Sequence, residues 1–528
     1  MAEIKLFRSL FNVSAVRAFL LITVILLFFF DLHSQDAREN TQGKRRIDLK
    51  HADEDIIERD IKTGKDWHRL IGSVSLEHNQ ILMSCDSAHF FPDRNQVTAF
   101  SKIHIEQGDT LDIYGDYLFY DGVSEQALLN YNVELVDKET HLYTNSVTYD
   151  VKNEIAQYTD SGRIINGENT LTSKLGRYYA ARKLFHFKDS VKIVNPDYVM
   201  TADTMDYNTE TETAFFTGPS EMEGDSIYLY CERGWYDTKN NITRIWKNAV
   251  IDNRQQIIHG DSLYFDDNTG YGQSFGNTSL ADTSNKIIVE GDYAWYYKQP
   301  ERFMVTDSAV FIQISGTDSL FLHADTISAV TLTDSTGKGY RLMRAFYGCR
   351  MFSFDMQAKC DSLSYSFQDS VIRLYRYPVL WSEENQMTSD SIAIFTKNRQ
   401  ANRMELFSSA FVTSQVDTMR FNQIKGRSLT GYFRENKLYK INIDGNGESI
   451  YYLAEGEEIM AVNQATSSGI EIYLEDGKIS VIIENQNPEG VIDPPSISPQ
   501  ANPKLEGFSW HDNLRPKKIS DIFTAPAP

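Results

Sequence analysis

Proline, cysteine and basic charge are all scarce in this chain of 528 residues. With 13 prolines beside 29 tyrosines and 30 phenylalanines, the composition suits β-strands better than disorder or helical bundles. The 4 cysteines show no spacing typical of a zinc site. Acidic residues outnumber basic ones by 73 to 52, which leaves a net charge of −21. This charge argues against nucleic acid as a partner, because nucleic acid requires a basic surface.

Long apolar runs are also rare, and the clearest one lies close to the N-terminus. It covers residues 18–30 and follows Lys5, Arg8 and Arg17. A membrane-spanning helix needs about 20 apolar residues, so this shorter run favours the core of a signal peptide. We therefore predict a signal peptide or N-terminal anchor over residues 1–34, with the bulk of the chain exported. A polar linker is predicted over residues 35–66.

A short motif recurs along the chain: a small residue, an acidic residue, any residue, an apolar residue, any residue and an aromatic residue. It reads CDSAHF at Cys85–Phe90, GDYLFY at Gly115–Tyr120 and GDSLYF at Gly260–Phe265. The acidic position falls at 86, 116, 145, 174, 203, 232 and 261, so the step is 30 and then 29 throughout. Later copies are more widely and less evenly spaced. A period this constant predicts a repeat array, in which stacked neighbours bury what one unit cannot bury alone.

Each repeat contains short strand signals separated by turn residues, which predicts an all-β architecture. The step loosens after residue 305, so we predict a first stack over residues 67–305. A second stack with a terminal hairpin is predicted over residues 306–484. Residues 485–528 are rich in proline and are expected to form a disordered or extended tail.

Two alternating positions in each half of the repeat lie on one strand face and are expected to form the apolar interior. Stacking would align them into ladders that line a groove for a lipid-like ligand. The predicted lining residues are Leu118, Tyr120, Val133, Leu135, Val147, Tyr149, Val191, Ile193, Met205, Tyr207, Leu263 and Phe265.

Catalytic and cofactor motifs are missing from the sequence. The GDSL at Gly260–Leu263 matches a serine-hydrolase signature, but the repeat already accounts for it. The repeated acidic position is interrupted by Asn145, Lys174 and Arg427, so a role at turns fits better than a catalytic or metal-binding array. We predict no enzyme activity, no cofactor and no metal site. Cys349 and Cys360 are close enough in sequence to meet across a hairpin.

The units of the form GD-x-apolar-x-Tyr-Asp resemble the OstA/LptA family, most closely at Gly115–Asp121 and Gly260–Asp266. The resemblance covers roughly residues 68–455. It implies a stacked antiparallel β-jelly roll, V-shaped and open along one side. It also implies transport of lipopolysaccharide or a similar glycolipid across the periplasm toward the outer membrane, with the acyl chains inside the fold. Unpaired terminal strands would then pair with other jelly-roll transport proteins.

Two other functions remain open from the residues. A structural envelope scaffold or adhesin would have the same ladders with a completely filled interior. A parallel β-helix enzyme acting on polysaccharide would suit the period, but it would need clustered catalytic carboxylates on an exposed face. We favour the periplasmic carrier, with association to either membrane left open.

Overall fold

The computed structural model describes residues 46–79, 81–108, 111–315, 319–397, 400–435, 437–456, 458–494 and 502–524. These residues form 36 β-strands, and every strand pairing recorded among them is antiparallel. The all-β, antiparallel prediction is therefore confirmed. The predicted signal peptide or anchor over residues 1–34 lies outside the described residues. Within the described part of the chain, no helix is long and apolar enough to cross a membrane.

The strands follow one another with short connections. The first eighteen are β1 (Asp48–His51), β2 (Glu54–Arg59), β3 (Asp66–His78), β4 (Ile81–Phe91), β5 (Gln96–Gln107), β6 (Leu111–Asp121), β7 (Gln126–Asp137), β8 (Thr140–Asp150), β9 (Ile155–Tyr158), β10 (Gly162–Asn166), β11 (Asn169–Ser173), β12 (Leu175–Tyr179), β13 (Leu184–Val194), β14 (Tyr198–Asn208), β15 (Thr213–Phe216), β16 (Ser220–Gly224), β17 (Tyr228–Cys231) and β18 (Arg233–Asp237).

The remaining strands are generally longer. They are β19 (Ile242–Asp252), β20 (Gln256–Asp266), β21 (Tyr271–Asp282), β22 (Ile287–Lys298), β23 (Glu301–Gln313), β24 (Leu320–Thr333), β25 (Gly339–Phe352), β26 (Met356–Ser366), β27 (Val371–Tyr375), β28 (Val379–Ser382), β29 (Asn385–Thr388), β30 (Ser391–Lys397), β31 (Gln400–Gln415), β32 (Phe421–Arg434), β33 (Lys437–Glu455), β34 (Glu458–Glu475), β35 (Lys478–Asn485) and β36 (Glu489–Asp493). Short 3-10 helices cover Ala180–Arg182, Asp512–Leu514 and Ile519–Ile522.

The strands divide into two compact units. The first comprises residues up to 108 together with 117–126, and the second comprises residues 109–116 together with 127 onwards. β1 and β2 in the first unit both pair with β3. The predicted polar linker over residues 35–66 therefore contains two strands, because a paired neighbour can hold a short charged segment in extended form.

A β-bulge recurs at the middle of alternate strands of the second unit. In β19 the bulge is formed by Lys247 and Asn248, whose φ angles are 62° and 54°. The pairing of β19 with β20 breaks there, so that both residues face the single residue Asp261. Similar pairs of left-handed residues lie at 131–132, 189–190, 276–277 and 307–308, close to the 29-residue step of the sequence. The 29-residue repeat of the sequence therefore corresponds to a repeated β-bulge in the structure.

The repeated acidic residue lies opposite these bulges, within a strand and not in a hairpin turn. Asp116 accepts a hydrogen bond from the Asn132 amide at 2.6 Å, and Asp261 accepts one from Asn277 at 3.0 Å. Alternation fails at this point, because Asp261 and Ser262 both point away from the interior while Gly260 and Leu263 are buried. The break allows both halves of a bent strand to place apolar side chains on the same inner face.

Another acidic residue, which follows the aromatic position, caps the hairpin turn. Asp266 accepts hydrogen bonds from the backbone N–H groups of Asn268 and Thr269 at 3.0 and 3.3 Å. Asp237 does the same for Lys239 and Asn240. These turns agree with the turn residues that separate the predicted strands, but the acidic residue that caps them is not the repeated one for which the sequence predicted a role at turns.

The four cysteines are free thiols and are buried. Cys349 and Cys360 are directly opposite each other on β25 and β26, as their spacing suggested. Burial raises the pKa of the Cys85 thiol and of the Cys231 thiol to about 12, so both are protonated at neutral pH. Both therefore fill space as small apolar residues do.

The proline-rich tail contacts the sheet over residues 502–524, where it forms no strand. The side chains of Gln357, Gln386 and Gln423 bind it. Gln386 is 1% exposed, donates to the Ser509 carbonyl at 2.9 Å and accepts from the His511 N–H at 2.7 Å. Gln423 binds Pro503 and Leu505 in the same two-sided way. A side-chain amide can donate to a backbone carbonyl and accept from a backbone N–H group, so it can hold a segment that has no strand partner of its own.

We predict that Gln386→Leu detaches the tail while the sheet stays folded. The substitution removes two hydrogen bonds and leaves the facing backbone groups unsatisfied, which costs about 2 kcal/mol of tail-docking free energy. Hydrogen exchange of residues 502–524 should speed up by at least about tenfold, with the amides of β31 unchanged. Gln415→Leu is the control, because the Gln415 side-chain amide donates to the nearby Asp417 carbonyl and, among the described residues, does not bond to the tail. Equal exchange in both variants would contradict the prediction.

Acidification should loosen the same segment. Burial lowers the pKa of His323, whose ring lies 5.1 Å from that of Phe523, and burial also lowers the pKa of His511. The docked tail therefore favours neutral imidazoles, and their stabilisation is complete above the ordinary histidine pKa of about 6.5. It is lost as the pH falls below that value. Exchange of residues 502–524, corrected for intrinsic rates, should accelerate between neutral pH and pH about 5. Acid-independent exchange would rule this out.

Candidate functional site

The predicted groove-lining residues all lie on the inner face of the sheet. Eleven of the twelve are at most 2% exposed, and Phe265 alone is half-buried. Leu118 and Tyr120 belong to the first unit and the others to the second. The eleven are covered by other protein side chains, so the interior around them is packed. Whether they contact a ligand remains a prediction, and Phe265 is the member that borders open space.

Tyrosine hydroxyl groups close the packed part of the interior. In the second unit, Tyr178 donates to the Asp137 carboxylate at 2.5 Å, and Tyr207 donates to Asn166 at 3.3 Å. Each bond joins a strand of one half of the bent sheet to a turn of the other half. In the first unit the Tyr120 hydroxyl similarly lies 2.6 Å from Nδ1 of His78. Burial raises the pKa of Tyr207 to about 12, which keeps its hydroxyl a donor.

Tyr236 occupies the same position of the repeat as Tyr178 and Tyr207, but among the described residues its hydroxyl group makes no such bond to the opposite half of the sheet. Its hydroxyl donates to Asn241 in the adjoining turn of its own half of the sheet, at 3.2 Å. The next repeat has Phe265 at this position, which has no hydroxyl group. The bond that ties the two rows of turns together is therefore missing from these two repeats.

A cleft of about 1080 Å³ opens in the second unit where these bonds are missing. Its mouth lies between two rows of turns. One row includes residues 137–140, 166–169 and 224–227, and the other includes 209–212, 238–241 and Asp267. Its apolar lining is supplied by Met222, Ile227, Leu229, Tyr236, Ile251 and Phe265.

Tight packing surrounds the inner glycines of the repeats beside the cleft. A Cβ atom at Gly234 would lie 2.7 Å from Cγ2 of Ile245, and one at Gly260 would lie 2.5 Å from Oγ of Ser274, so these glycines leave no space. The cleft lies instead at the two rows of turns, where the closing bonds are missing at Tyr236 and Phe265.

The rim of the cleft is strongly acidic. Among its described residues, two lysines stand beside eight carboxylates: Asp137, Glu139, Glu168, Asp197, Glu210, Glu212, Asp225 and Asp267. Lys183 is paired with Asp137, with its Nζ 2.6 Å from the carboxylate. The remaining rim charges favour a cationic or cation-bridged group and oppose a bare phosphate. No group of three or more His, Cys, Asp or Glu side chains arranged to hold a metal occurs in the described part of the chain.

The sequence interpretation missed most of the cleft lining. Met222, Leu229 and Ile251 were not selected, because every repeat was treated as equivalent. The motif itself does not separate open repeats from closed ones. Gly234 and Phe265 depart from the commonest residues, but Gly176 occupies the same position as Gly234 in a packed repeat, and Phe90 occupies the same position as Phe265 in another.

We predict that Tyr178→Phe destabilises the fold and that Tyr236→Phe does not. The first substitution removes a donor from Asp137, a carboxylate that is only 4% exposed, and should lower the free energy of unfolding by about 1–3 kcal/mol. The second removes an exposed bond and should change it by less than about 0.5 kcal/mol. Urea unfolding followed by circular dichroism measures both. Equal midpoints would show that the closing bonds do not stabilise the interior.

The fold and the cleft can be compared with known proteins. A search of curated proteins finds no match. Among solved structures, LptH, the LptA-homologous periplasmic component of the lipopolysaccharide transport device of Pseudomonas aeruginosa, aligns at 14% identity. The aligned region covers 20% of this chain and 79% of the LptH chain, with a TM-score of 0.19. The extracellular domain of BT4673 from B. thetaiotaomicron aligns at 9% identity over 83% of this chain and 96% of its own, with a TM-score of 0.08. These scores are too low to carry an argument about function.

The family comparison is more extensive. The family described as OstA-like protein matches residues 44–203 and 205–315, which is just over half of the chain. The matched region contains the regular 29-residue repeats, the bulges and the whole lining of the cleft. This chain belongs to the OstA-like protein family.

Proposed function

We propose that this protein is a periplasmic carrier that binds the acyl chains of lipopolysaccharide or a similar glycolipid on their way to the outer membrane. The cleft between the two rows of turns carries the proposal. Its volume of about 1080 Å³ is at the upper end of the range for small-molecule sites. Its lining is apolar at the base, and its mouth is polar, which is the arrangement that an amphiphile requires.

Binding energy in such a cleft would come from the acyl chains. Burial of each CH₂ contributes about 0.8 kcal/mol, so a few buried carbons outweigh a modest repulsion at the rim. The eight rim carboxylates disfavour an unscreened phosphate headgroup. A glycolipid with few phosphates, or one whose phosphates are neutralised by divalent cations, therefore fits the site better than a free polyanion.

Exposed edges support transfer between proteins. In the second unit, β35 and β36 pair only with β34 among the strands that the structure describes. Their exposed side chains include Val481, Ile483, Val491 and Ile492. An unpaired edge with exposed apolar side chains is a template for a strand from another chain. Pairing with another jelly-roll transport protein would extend the sheet from this end.

A structural scaffold without a ligand is the second candidate. The packed interior favours it over most of the array, because eleven of the twelve predicted lining residues have almost no exposed surface. The cleft is the observation that separates the two functions, since a scaffold gains nothing from an unfilled interior.

We expect Ile251→Trp to weaken binding of a fluorescent lipid A derivative to the purified full-length protein. The larger side chain fills the cleft that Ile251 lines, so affinity should fall by about tenfold, equivalent to two excluded CH₂ groups. Val250→Trp is the matched control, because Val250 is next in sequence and points to the opposite face of β19.

Mass spectrometry of the purified protein provides the second readout. Wild type and Val250→Trp should carry co-purified lipid, and Ile251→Trp should carry less. Absence of lipid from all three, together with equal probe affinities, would reject the carrier and leave the scaffold.

A further inference from the structure

The outer face of the second unit carries a continuous row of aromatic and polar side chains. Its members occupy directly paired register positions on six neighbouring strands, β15 and β18 to β22. We call this row the aromatic strip, and it consists of Phe215, Trp235, Arg244, Tyr264, Gln273 and Trp295.

The aromatic strip faces away from the cleft. Tyr236, Thr243 and Phe265 line the cleft, and each is adjacent in sequence to a member of the strip. Because successive side chains of a strand point to opposite faces, Trp235, Arg244 and Tyr264 lie on the outer surface. The strip and the cleft are therefore separate sites on the two faces of the same strands.

Aromatic and polar side chains alternate along the strip. From Trp235 the order is aromatic, guanidinium, aromatic, amide, aromatic, ending at Trp295. Neighbouring strands are about 4.8 Å apart, so successive rings are about 10 Å apart. Rings at this separation, with a hydrogen-bonding group between each pair, suit stacking on alternate sugars of a linear saccharide.

Ring contacts hold a second layer of aromatic side chains beside the strip. Tyr271 and Tyr297 lie 4.6 Å apart between ring centroids, and Trp295 and Tyr297 lie 5.5 Å apart. The Gln273 amide donates to the Tyr293 hydroxyl at 3.0 Å. Such contacts restrict the rotamers, so the surface is preorganised for a flat ligand.

Positive charge accompanies these rings although the chain as a whole is acidic. The Arg302 guanidinium lies 4.5 Å from the centroid of Tyr297 and 5.8 Å from that of Trp295. Arg244 lies between Trp235 and Tyr264 in register and is exposed. Neither arginine makes an ion pair with another described residue, in a protein of net charge −21. Their N–H groups remain available to a carboxylate or phosphate.

We propose that the aromatic strip is a binding site for an acidic saccharide. The rings stack on the C–H faces of the sugars, and Arg244 and Arg302 bind the acidic substituents. An anionic membrane surface fits less well, because such surfaces attract clusters of several Lys or Arg residues, and the strip offers only Arg244 with Arg302 beside it. A protein partner fits less well because charged and amide groups interrupt the apolar surface that an interface core would need. The site stands independently of the ligand in the cleft.

Calorimetric titration of the full-length protein with a hexamer of galacturonic acid tests this site, with the fully methyl-esterified hexamer as the neutral counterpart. We expect Trp235→Ala and Trp295→Ala each to weaken binding of the acidic hexamer by roughly three- to tenfold. Trp235→Phe and Trp295→Phe keep a ring and should retain most of the affinity, which separates loss of stacking from loss of fold. Arg244→Gln should remove the preference for the acidic over the esterified hexamer.

Trp67→Ala is the control, because Trp67 is an outer-face tryptophan of the first unit, on β3 and far from the strip in sequence. The proposal is overturned if wild type shows no saturable binding of the acidic hexamer, or if Trp67→Ala weakens it as much as the strip variants do. It is also overturned if the strip variants lose binding to anionic phosphatidylglycerol vesicles and keep binding to the hexamer. Ile251→Trp alters the cleft and not the strip, so it should bind the hexamer with wild-type affinity. Failure of the cleft proposal and failure of the strip proposal can therefore be told apart.

Discussion

The alternation of side chains along a β-strand limits what a sheet can enclose, and the bulges of this protein remove that limit. A regular strand places apolar side chains on one face along its full length, and the sheet stays nearly flat. Two left-handed residues such as Lys247 and Asn248 bend the strand and shift the alternation by one. Both halves of the bent strand then face each other across an apolar interior. Everything described for the cleft and the outer face depends on this bend.

Hydroxyl groups decide where the bent sheet is closed. Tyr178 and Tyr207 reach turns of the opposite half, and the interior around them is packed. Tyr236 bonds within its own half, Phe265 lacks a hydroxyl group, and the cleft opens beside them. The filled repeats therefore differ from the open ones in whether the side chain at this repeated position bonds to the opposite half of the sheet. The open repeats also carry the aromatic strip on their outer face, so two distinct surfaces share the same strands.

The tail shows how a segment without a hydrophobic pattern can still be ordered. Residues 502–524 have no periodicity that predicts a strand or a helix, and the prolines of the tail suggested a disordered or extended segment. Gln386 and Gln423 nevertheless bind their backbone from distant positions in the chain. Pairing across 80 or more residues of sequence depends on where the sheet places those amides, and composition carries no information about that. The short strands β1 and β2 were missed for the same reason, since β3 holds them in place.

The sequence by itself determined the repeat, the all-β class, the turns between strands and the identity of the inner-face residues, but it assigned the turns to the wrong acidic residue, Asp261 instead of Asp266. These features are local, because period, alternation and turn capping act within one or two neighbouring strands. Only the tertiary structure decided that residues such as Tyr149 and Met205 are packed and that the space lies beside Ile251 and Phe265. Whether an interior position is filled depends on side chains that reach it from the opposite half of the bent sheet. Which of these side chains come close enough depends on distances between residues that are far apart in the sequence, and the sequence does not give those distances directly.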